Sequence, residues 1–285
     1  MTPQVNYIEC NNLKEKYKMV YYSWGSQEHS NKTLICLHGL NRNGRDWDYV
    51  AKSLVEKGYL VIAPDIVGRG NSDYLIDAKG YEVPYYSLDI LTLIRVLSLQ
   101  NISILGTSMG GLIGMAIAAM PEHPIKKLIL NDIGAEIEYK GLQIISSYSG
   151  EQPEFTTFAI AKDYLKNISL DFGDLPNSVW EHMARNSFQK NAKGNYELKR
   201  DVNLSKPFLA PTDGEKNLEF WEFWHKVTLP TLIIRGENSN ILSKATIDKM
   251  QAINGQTKSI EIKNTGHAPF LYSIEHTELI FNFLE

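Results

Sequence analysis

The chain has 285 residues, a formal net charge of −4, 43% hydrophobic residues and 22% charged residues, which excludes a disordered or fibrous protein. Lysine and arginine are scattered rather than gathered in a basic stripe, so we expect no nucleic-acid partner. The two cysteines form no disulfide or metal motif, the first ten residues lack a signal-peptide pattern and no apolar stretch could span a bilayer, so we expect a cytoplasmic protein without a membrane span.

Short apolar runs with turn residues at their ends recur along the chain. They lie at residues 19–22, 33–37, 60–63, 102–105, 127–130, 231–234 and 259–262. Several are continuously apolar, as strands that are covered on both faces must be. Segments with helical spacing lie between them, for example at residues 88–97 and 112–120. This alternation predicts an α/β fold in which helices cover both faces of a parallel sheet.

The alternation breaks between residues 133 and 228, where helical periods continue but no convincing strand pattern occurs before residue 231. We interpret residues 133–228 as a helical cap over the strand ends, and residues 1–132 and 229–285 as the core that carries it. Aromatic residues of the cap, among them Trp221 and Trp224, favour a small-molecule substrate with an apolar acyl part. Packing of the cap on the core explains the same residues equally well.

The sequence Gly-Thr-Ser-Met-Gly at residues 106–110 follows a predicted strand and precedes a helix rich in small residues. In that context a G-x-S-x-G match is meaningful, because a sharp turn exposes the hydroxyl of Ser108 and the glycines let neighbouring backbone approach. The start of the helix directs the N–H of Met109 to the place where negative charge develops. We therefore predict that Ser108 is a nucleophile and that Met109 is an oxyanion donor.

A second oxyanion donor and a base are expected at two other strand ends. Residues 38–40, His-Gly-Leu, end an earlier strand, and the N–H of Leu40 is the predicted second donor. We interpret His38 as structural, orienting this loop through side-chain hydrogen bonds. His267 follows the last predicted strand and comes after the serine, as the base must in the chain order serine, acid, histidine. We predict that His267 is the general base.

At these residues the chain resembles the α/β-hydrolase family, and in detail its bacterial esterase-like serine hydrolases. Residues 64–72, Pro-Asp-Ile-Val-Gly-Arg-Gly-Asn-Ser, also resemble a family loop that packs and orders the catalytic edge. The resemblance implies a mostly parallel eight-stranded sheet flanked by helices, with a helical cap inserted after the sixth strand. The chemistry that it implies needs no cofactor, and the sequence contains no cluster with metal-ligand spacing.

The acid of the triad departs from the family pattern. Relatives carry an aspartate after the seventh strand in a pattern like Arg-Gly-x-x-Ser-Asp, whereas residues 235–240 read Arg-Gly-Glu-Asn-Ser-Asn, so Asn240 occupies the acid position. An amide can accept a hydrogen bond but supplies no charge to the imidazolium of His267. Asp132, at the end of the sixth strand, is the better of two compensating carboxylates, and Glu237 is the other. The sequence favours a weakened triad with Asn240 over a triad that Asp132 completes.

Two functions from different classes follow. The first is a serine hydrolase that cleaves a carboxylic ester, a thioester or a lactone through an acyl-enzyme on Ser108. The second is a ligand-binding or weakly active relative, because an Asp-to-Asn change in the triad of chymotrypsin-like proteases costs about 10⁴ in kcat. The reactivity of Ser108 toward a fluorophosphonate separates the two. Nothing in the sequence specifies an oligomeric state.

Overall fold

The computed structural model describes residues 1–13, 15–26, 32–206 and 216–285, and for Ser205 it describes the backbone alone. Eight strands form its main sheet: β1 (Gln4–Asn12), β2 (Glu15–Trp24), β3 (Thr33–Leu37), β4 (Leu60–Pro64), β5 (Ile102–Thr107), β6 (Ile125–Asn131), β7 (Thr231–Gly236) and β8 (Thr257–Ile262). Their order across the sheet is β1-β2-β4-β3-β5-β6-β7-β8. Strand β2 is antiparallel to β1 and β4, and the remaining neighbours are parallel. The predicted α/β-hydrolase sheet is confirmed.

Helices cover both faces of this sheet. The α-helices of the described residues are α1 (Asp48–Glu56), α2 (Val83–Val96), α3 (Met109–Ala118), α4 (Tyr139–Ser149), α5 (Phe158–Asn167), α6 (Asn177–Ser187), α7 (Trp221–Trp224), α8 (Lys244–Ile253) and α9 (Ile274–Leu284). One apolar cluster joins the sheet to α2, α3 and α8, and a second joins it to α1 and α9. Strands β3 and β4 are buried at every position, which explains their continuously apolar sequences.

The chain leaves the sheet after β6 and returns to it at β7, as the predicted position of the cap requires. In that interval the described residues form α4 to α7 and two short strand pairs, one between Glu136–Ile137 and Leu218–Glu219 and one between Phe188–Lys190 and Tyr196–Leu198. The expectation of no strand before residue 231 was wrong, because strands of two or three residues are too short to show alternation. The division of the chain at residues 132/133 and 228/229 stays a prediction.

A third apolar cluster lies in the cap, where α5 and α6 pack together and reach Phe270 of the core. Among the helices of the described ranges, none is both long and apolar enough to cross a bilayer.

Candidate active site

Ser108 lies in the turn between β5 and α3 with φ 50° and ψ −118°, a left-handed conformation that a residue other than glycine rarely adopts. The two glycines of the motif are required by close packing around this turn. A Cβ atom on Gly106 would lie 2.3 Å from the backbone of Gly110, and one on Gly110 would lie 2.2 Å from the carbonyl oxygen of Leu37. The local sequence therefore explains why the hydroxyl stands at the tip of a sharp bend.

Three side chains form a hydrogen-bonded chain at this bend. His267 Nε2 lies 2.9 Å from Ser108 Oγ, and His267 Nδ1 lies 2.8 Å from Asp132 Oδ2. The Asp132 carboxylate is fully buried and also accepts hydrogen bonds from the N–H of Gly236 at 2.8 Å and from Ser239 Oγ at 2.7 Å. This arrangement provides a hydroxyl, a base that can take its proton, and a carboxylate that orients the base.

Asn240 is not part of that chain, contrary to the preference drawn from the sequence. Asp132 and Ser108 already occupy the two ring nitrogens of His267, and no hydrogen bond of the described residues joins His267 to Asn240 or Glu237. Glu237 instead binds Lys263 at 2.9 Å. The physical reason is the strand order: β6 lies beside β5, so the residue after β6 reaches the elbow directly. Asp132 is therefore the carboxylate that the fold brings to the histidine.

Leu40 and Ser108 line the same cavity, and the helix that starts at Met109 follows Ser108 directly. Within the described ranges, the N–H groups of Leu40 and Met109 have no hydrogen-bond acceptor. Unpaired backbone donors beside a nucleophile are what stabilisation of an oxyanion requires. The geometry is compatible with the predicted pair of donors, whose role stays a prediction.

Buried side chains hold the loop that contains Leu40 in place. His38 Nε2 accepts a hydrogen bond from the N–H of Ile66 at 2.9 Å, so Nδ1 carries the proton and donates to the carbonyl oxygen of Gly39 at 2.8 Å. Burial lowers the pKa of His38 to about 3, which keeps the imidazole neutral. The structure thus shows His38 orienting the loop through its side chain, as expected from the sequence.

Sequence reasoning missed Arg69 and Asn131. Arg69 Nε donates to the carbonyl oxygen of Leu40 at 3.0 Å and Nη2 lies 3.4 Å from Met109 Sδ, so one buried guanidinium contacts both expected oxyanion residues. Asn131 Nδ2 lies 2.9 Å from Thr107 Oγ1 and 2.9 Å from the carbonyl oxygen of Pro269, which ties the elbow to the histidine loop. Arg69 belongs to the loop at residues 64–72 that resembles the family, and Asn131 precedes Asp132, but no local pattern reveals their distant partners.

The cavity in front of Ser108, counted together with its opening to solvent, encloses about 620 Å³ of space. Core residues on its wall are Gly39, Leu40, Asn41, Arg42, Thr107, Ser108, His267 and Ala268. Cap residues on its wall are Ile145, Tyr148, Leu165, Ile168, Ser169, Phe172, Leu198 and Arg200. The cap side is mainly apolar, which agrees with an apolar acyl part.

Trp221 and Trp224 do not line this cavity. Trp224 is fully buried and donates its Nε1–H to the carbonyl oxygen of Met250 at 3.0 Å, and Trp221 Nε1 donates to Glu136 Oε2 at 3.2 Å. The interpretation of these aromatics as packing residues is therefore the correct one. In the part of the chain that the structure describes, no three His, Cys, Asp or Glu side chains are grouped so as to hold a metal ion.

Comparison with known proteins gives consistent relatives. The family model for the alpha/beta hydrolase fold matches residues 32–273. The 3-hydroxybutyrate-oligomer hydrolase of Cupriavidus necator is 36% identical over 277 residues, which cover 94% of this chain and 93% of that protein. An X-ray structure of a Rickettsia typhi protein superposes with a TM-score of 0.91 at 33% identity, covering 99% of this chain and 98% of the other. An alpha/beta hydrolase from Novosphingobium aromaticivorans gives a TM-score of 0.86 at 29% identity with the same coverage, 99% and 98%.

Proposed function

Since the chain belongs to the α/β-hydrolase fold family, we propose that it is a serine hydrolase that cleaves a carboxylic ester through an acyl-enzyme on Ser108. The observation that carries the proposal is the continuous hydrogen-bonded chain from Ser108 through His267 to Asp132. A serine hydroxyl is a weak nucleophile at neutral pH, and an adjacent base that a third group orients is what activates it.

In the proposed reaction, Ser108 Oγ attacks the ester carbonyl carbon while His267 Nε2 takes the hydroxyl proton. The N–H groups of Leu40 and Met109 stabilise the oxyanion, and the imidazolium then protonates the leaving alcohol as the C–O bond breaks. A water molecule, deprotonated by His267, attacks the acyl-enzyme and releases the acid. Asp132 accepts the Nδ1–H hydrogen bond throughout and stabilises the imidazolium.

The name of the Cupriavidus necator relative indicates a substrate class for this chain. An oligomer of 3-hydroxybutyrate is a linear ester of a short hydroxy acid, and we extend that class to this enzyme. The apolar side chains of Ile145, Leu165 and Ile168 on the cap side of the cavity support a short apolar acyl part. Thioesters and lactones react through the same acyl-enzyme, so they are the nearest alternatives.

A ligand-binding or weakly active relative is the less supported function. Its basis in the sequence was Asn240, which would leave the histidine without a charged partner. The carboxylate oxygen of Asp132, 2.8 Å from His267 Nδ1, supplies that charge and favours the active enzyme.

Labelling of the folded protein with a fluorophosphonate tests the proposal. We expect one covalent adduct, located on Ser108 by peptide mass spectrometry, and hydrolysis of 4-nitrophenyl butyrate without added metal. The variant Ser108→Ala should take up no label. Ser103→Ala, which changes a buried serine on β5, the strand that leads to Ser108, is the matched control and should label like the unmodified protein. A folded protein whose Ser108 does not react would overturn the assignment.

A further inference from the structure

Arg200 is a buried cation on the wall of the cavity that contains Ser108. It lies just after the short strand Tyr196–Leu198 of the cap and is 3% exposed. Its Nη1 donates to Asn41 Oδ1, and its Nη2 donates to the carbonyl oxygens of Tyr148 at 3.1 Å and Glu151 at 2.7 Å. Its Nε–H has no hydrogen-bond partner among the described residues. A buried donor without a protein partner is unusual, and on a cavity wall its acceptor comes from water or from a ligand.

The charge of Arg200 is also not neutralised by a directly paired carboxylate of the described residues. Of the described residues that line the cavity, Arg42 and Arg200 are the permanently charged ones, and none is an aspartate or a glutamate. Arg42 is neutralised by Asp46, with Nη2 2.5 Å from Oδ1 and Nε 2.7 Å from Oδ2. Arg200 forms no ion pair with a described carboxylate, and its acceptors are the neutral oxygens of an amide and two carbonyl groups.

Two physical effects make this arrangement selective for an anion. Burial is the main cause that lowers the pKa of Arg200, because it disfavours a positive charge at this place, and nearby Arg69 acts in the same direction. Tyr164, Tyr148 and Glu151 act against this shift but do not outweigh it. Arginine nevertheless stays protonated in proteins, so its charge must be stabilised by another group. A carboxylate that accepts the free Nε–H would form a charge-assisted hydrogen bond and neutralise the positive charge of Arg200.

We propose that Arg200 binds a free carboxylate of the substrate, so that the enzyme prefers esters that carry an acid group over neutral esters of the same length. The inference rests on the proposed ester hydrolysis, because the anion is defined relative to the ester bond at Ser108. Apolar side chains of the cap, such as Leu165 and Ile168, line the same cavity. A linear oligomer of a hydroxy acid has the matching chemistry, with an apolar chain, an ester bond and one terminal carboxylate.

A second role for Arg200 must be separated from anion binding. Arg200 contacts Asn41, which is next to Leu40 in the chain. The alternative role of Arg200 is therefore to position the oxyanion loop without binding the substrate. Loss of a positioning residue would lower hydrolysis of neutral and anionic esters by the same factor. Loss of an anion-binding residue would lower the preference for the anionic ester.

The test compares the linear dimer of 3-hydroxybutyrate with its terminal primary amide, which has the same length and the same single ester bond but no charge. We expect the unmodified enzyme to cleave the acid with a kcat/KM at least about 10-fold above that of the amide. Arg200→Gln should remove this preference, so that the ratio falls about 10-fold or more to near 1, and Arg200→Lys, which keeps the charge, should lower it less. Arg185→Gln removes an exposed cation of the cap outside the cavity and should leave the ratio unchanged. Equal losses on both substrates in Arg200→Gln would overturn the inference in favour of positioning.

A measurement on the unmodified enzyme keeps the inference testable if the variants do not fold. Butanoate should inhibit hydrolysis of 4-nitrophenyl butyrate competitively, at concentrations at least about 10-fold below those needed with butanamide. If the acid and the amide inhibit equally while 4-nitrophenyl butyrate is still hydrolysed, the proposed anion binding is wrong but the proposed ester hydrolysis stands. If 4-nitrophenyl butyrate is not hydrolysed at all, the proposed function itself is wrong.

Discussion

The carboxyl edge of the sheet, residues 38–40, 106–109, 131–132 and 264–269, is built differently from the cap. At the edge, each reactive group lies within a few residues of a strand end, and backbone turns set its position. In the cap, the groups that face the cavity are placed by contacts between distant parts of the chain. Arg200, for example, contacts Asn41, which precedes it by 159 residues. The turns of the edge thus depend mainly on local sequence, although distant contacts from Gly236 and Ser239 orient Asp132, whereas the cap depends on tertiary packing.

This difference suggests that the edge and the cap have different functions. The edge contains the proposed nucleophile, base, acid and oxyanion donors, which act on any bound ester. The cap contributes the apolar wall and Arg200, which contact the parts of a substrate that do not react. Changes at the edge should therefore lower turnover of every substrate, and changes in the cap should alter the preference between substrates.

The largest effect is expected for Ser108→Ala. Removal of the Oγ atom abolishes the acyl-enzyme route, and kcat for 4-nitrophenyl butyrate should fall by roughly 10⁴- to 10⁶-fold, with a residual rate from the oxyanion donors. Circular dichroism and urea unfolding should match the unmodified protein, because the elbow is held by backbone and glycine packing. Activity within 10-fold of the unmodified enzyme would contradict the assignment of the catalytic groups to the edge, since the edge would then not contain the nucleophile.

The next effect separates two neighbouring strand ends, those of β6 and β7. Asp132→Asn should lower kcat by roughly 10⁴-fold, because an amide beside His267 Nδ1 removes the charge and favours the wrong tautomer. Asn240→Asp should change kcat by less than about 3-fold, since that residue does not reach the histidine. The opposite pattern would assign the acid to the end of β7.

Ser239→Ala is the matched control for that pair. It removes one hydrogen bond to the Asp132 carboxylate, of 2.7 Å, but keeps the charge. A loss of about 10-fold in kcat is expected. If Ser239→Ala costs as much as Asp132→Asn, the orientation of the carboxylate matters more than its charge.

The edge should also make the fold sensitive to acid through His38. Its pKa is lowered from 6.5 to about 3 by burial, so the unfolded chain takes up a proton below pH 6.5 that the folded chain refuses. The contribution is complete above pH 6.5 and is lost as the pH falls toward 3. Between pH 7 and pH 4, the free energy of unfolding should fall by about 3 kcal/mol more in the unmodified protein than in His38→Gln. Parallel curves in urea unfolding across this pH range would show that His38 is not held neutral.

The same contrast explains how much could be predicted from the sequence. Ser108 was predicted as the nucleophile because a tight turn after a strand needs particular residues, and glycine packing makes that requirement readable. His267 was predicted as the base from its place after the last strand and after the serine in the chain. The buried strands were found from their continuous apolar runs. Strand β1 was missed because it lies at the edge of the sheet and only its last residues alternate between buried and exposed.

The acid and the anion-binding arginine could not be found in this way. Strands β6 and β7 lie side by side, so a carboxylate after either could reach the histidine, and sequence spacing does not decide between them. The decision comes from the N–H of Gly236 and the hydroxyl of Ser239, which converge on Asp132. Arg200 follows a three-residue strand in a segment without a catalytic motif, and only its position on the cavity wall singles it out.

The smallest effect tests the cap itself. Leu165 on α5 is 2% exposed, belongs to the apolar cluster of the cap and lines the cavity. Leu165→Ala should lengthen the acyl site and raise the kcat/KM ratio of 4-nitrophenyl octanoate to the butyrate by roughly 10-fold, at a cost of about 2–5 kcal/mol in stability.

Leu175→Ala is the matched control, because Leu175 belongs to the same apolar cluster but does not line the cavity. It should lose stability to a similar degree while the ratio of the two esters stays unchanged. A shift of the ratio in Leu165→Ala alone means that the wall of the cap selects substrates by the length of the acyl chain. A shift of the same size in both variants means that loosening of the cap, and not the shape of its wall, controls which ester enters, because the two substitutions share only the loss of packing.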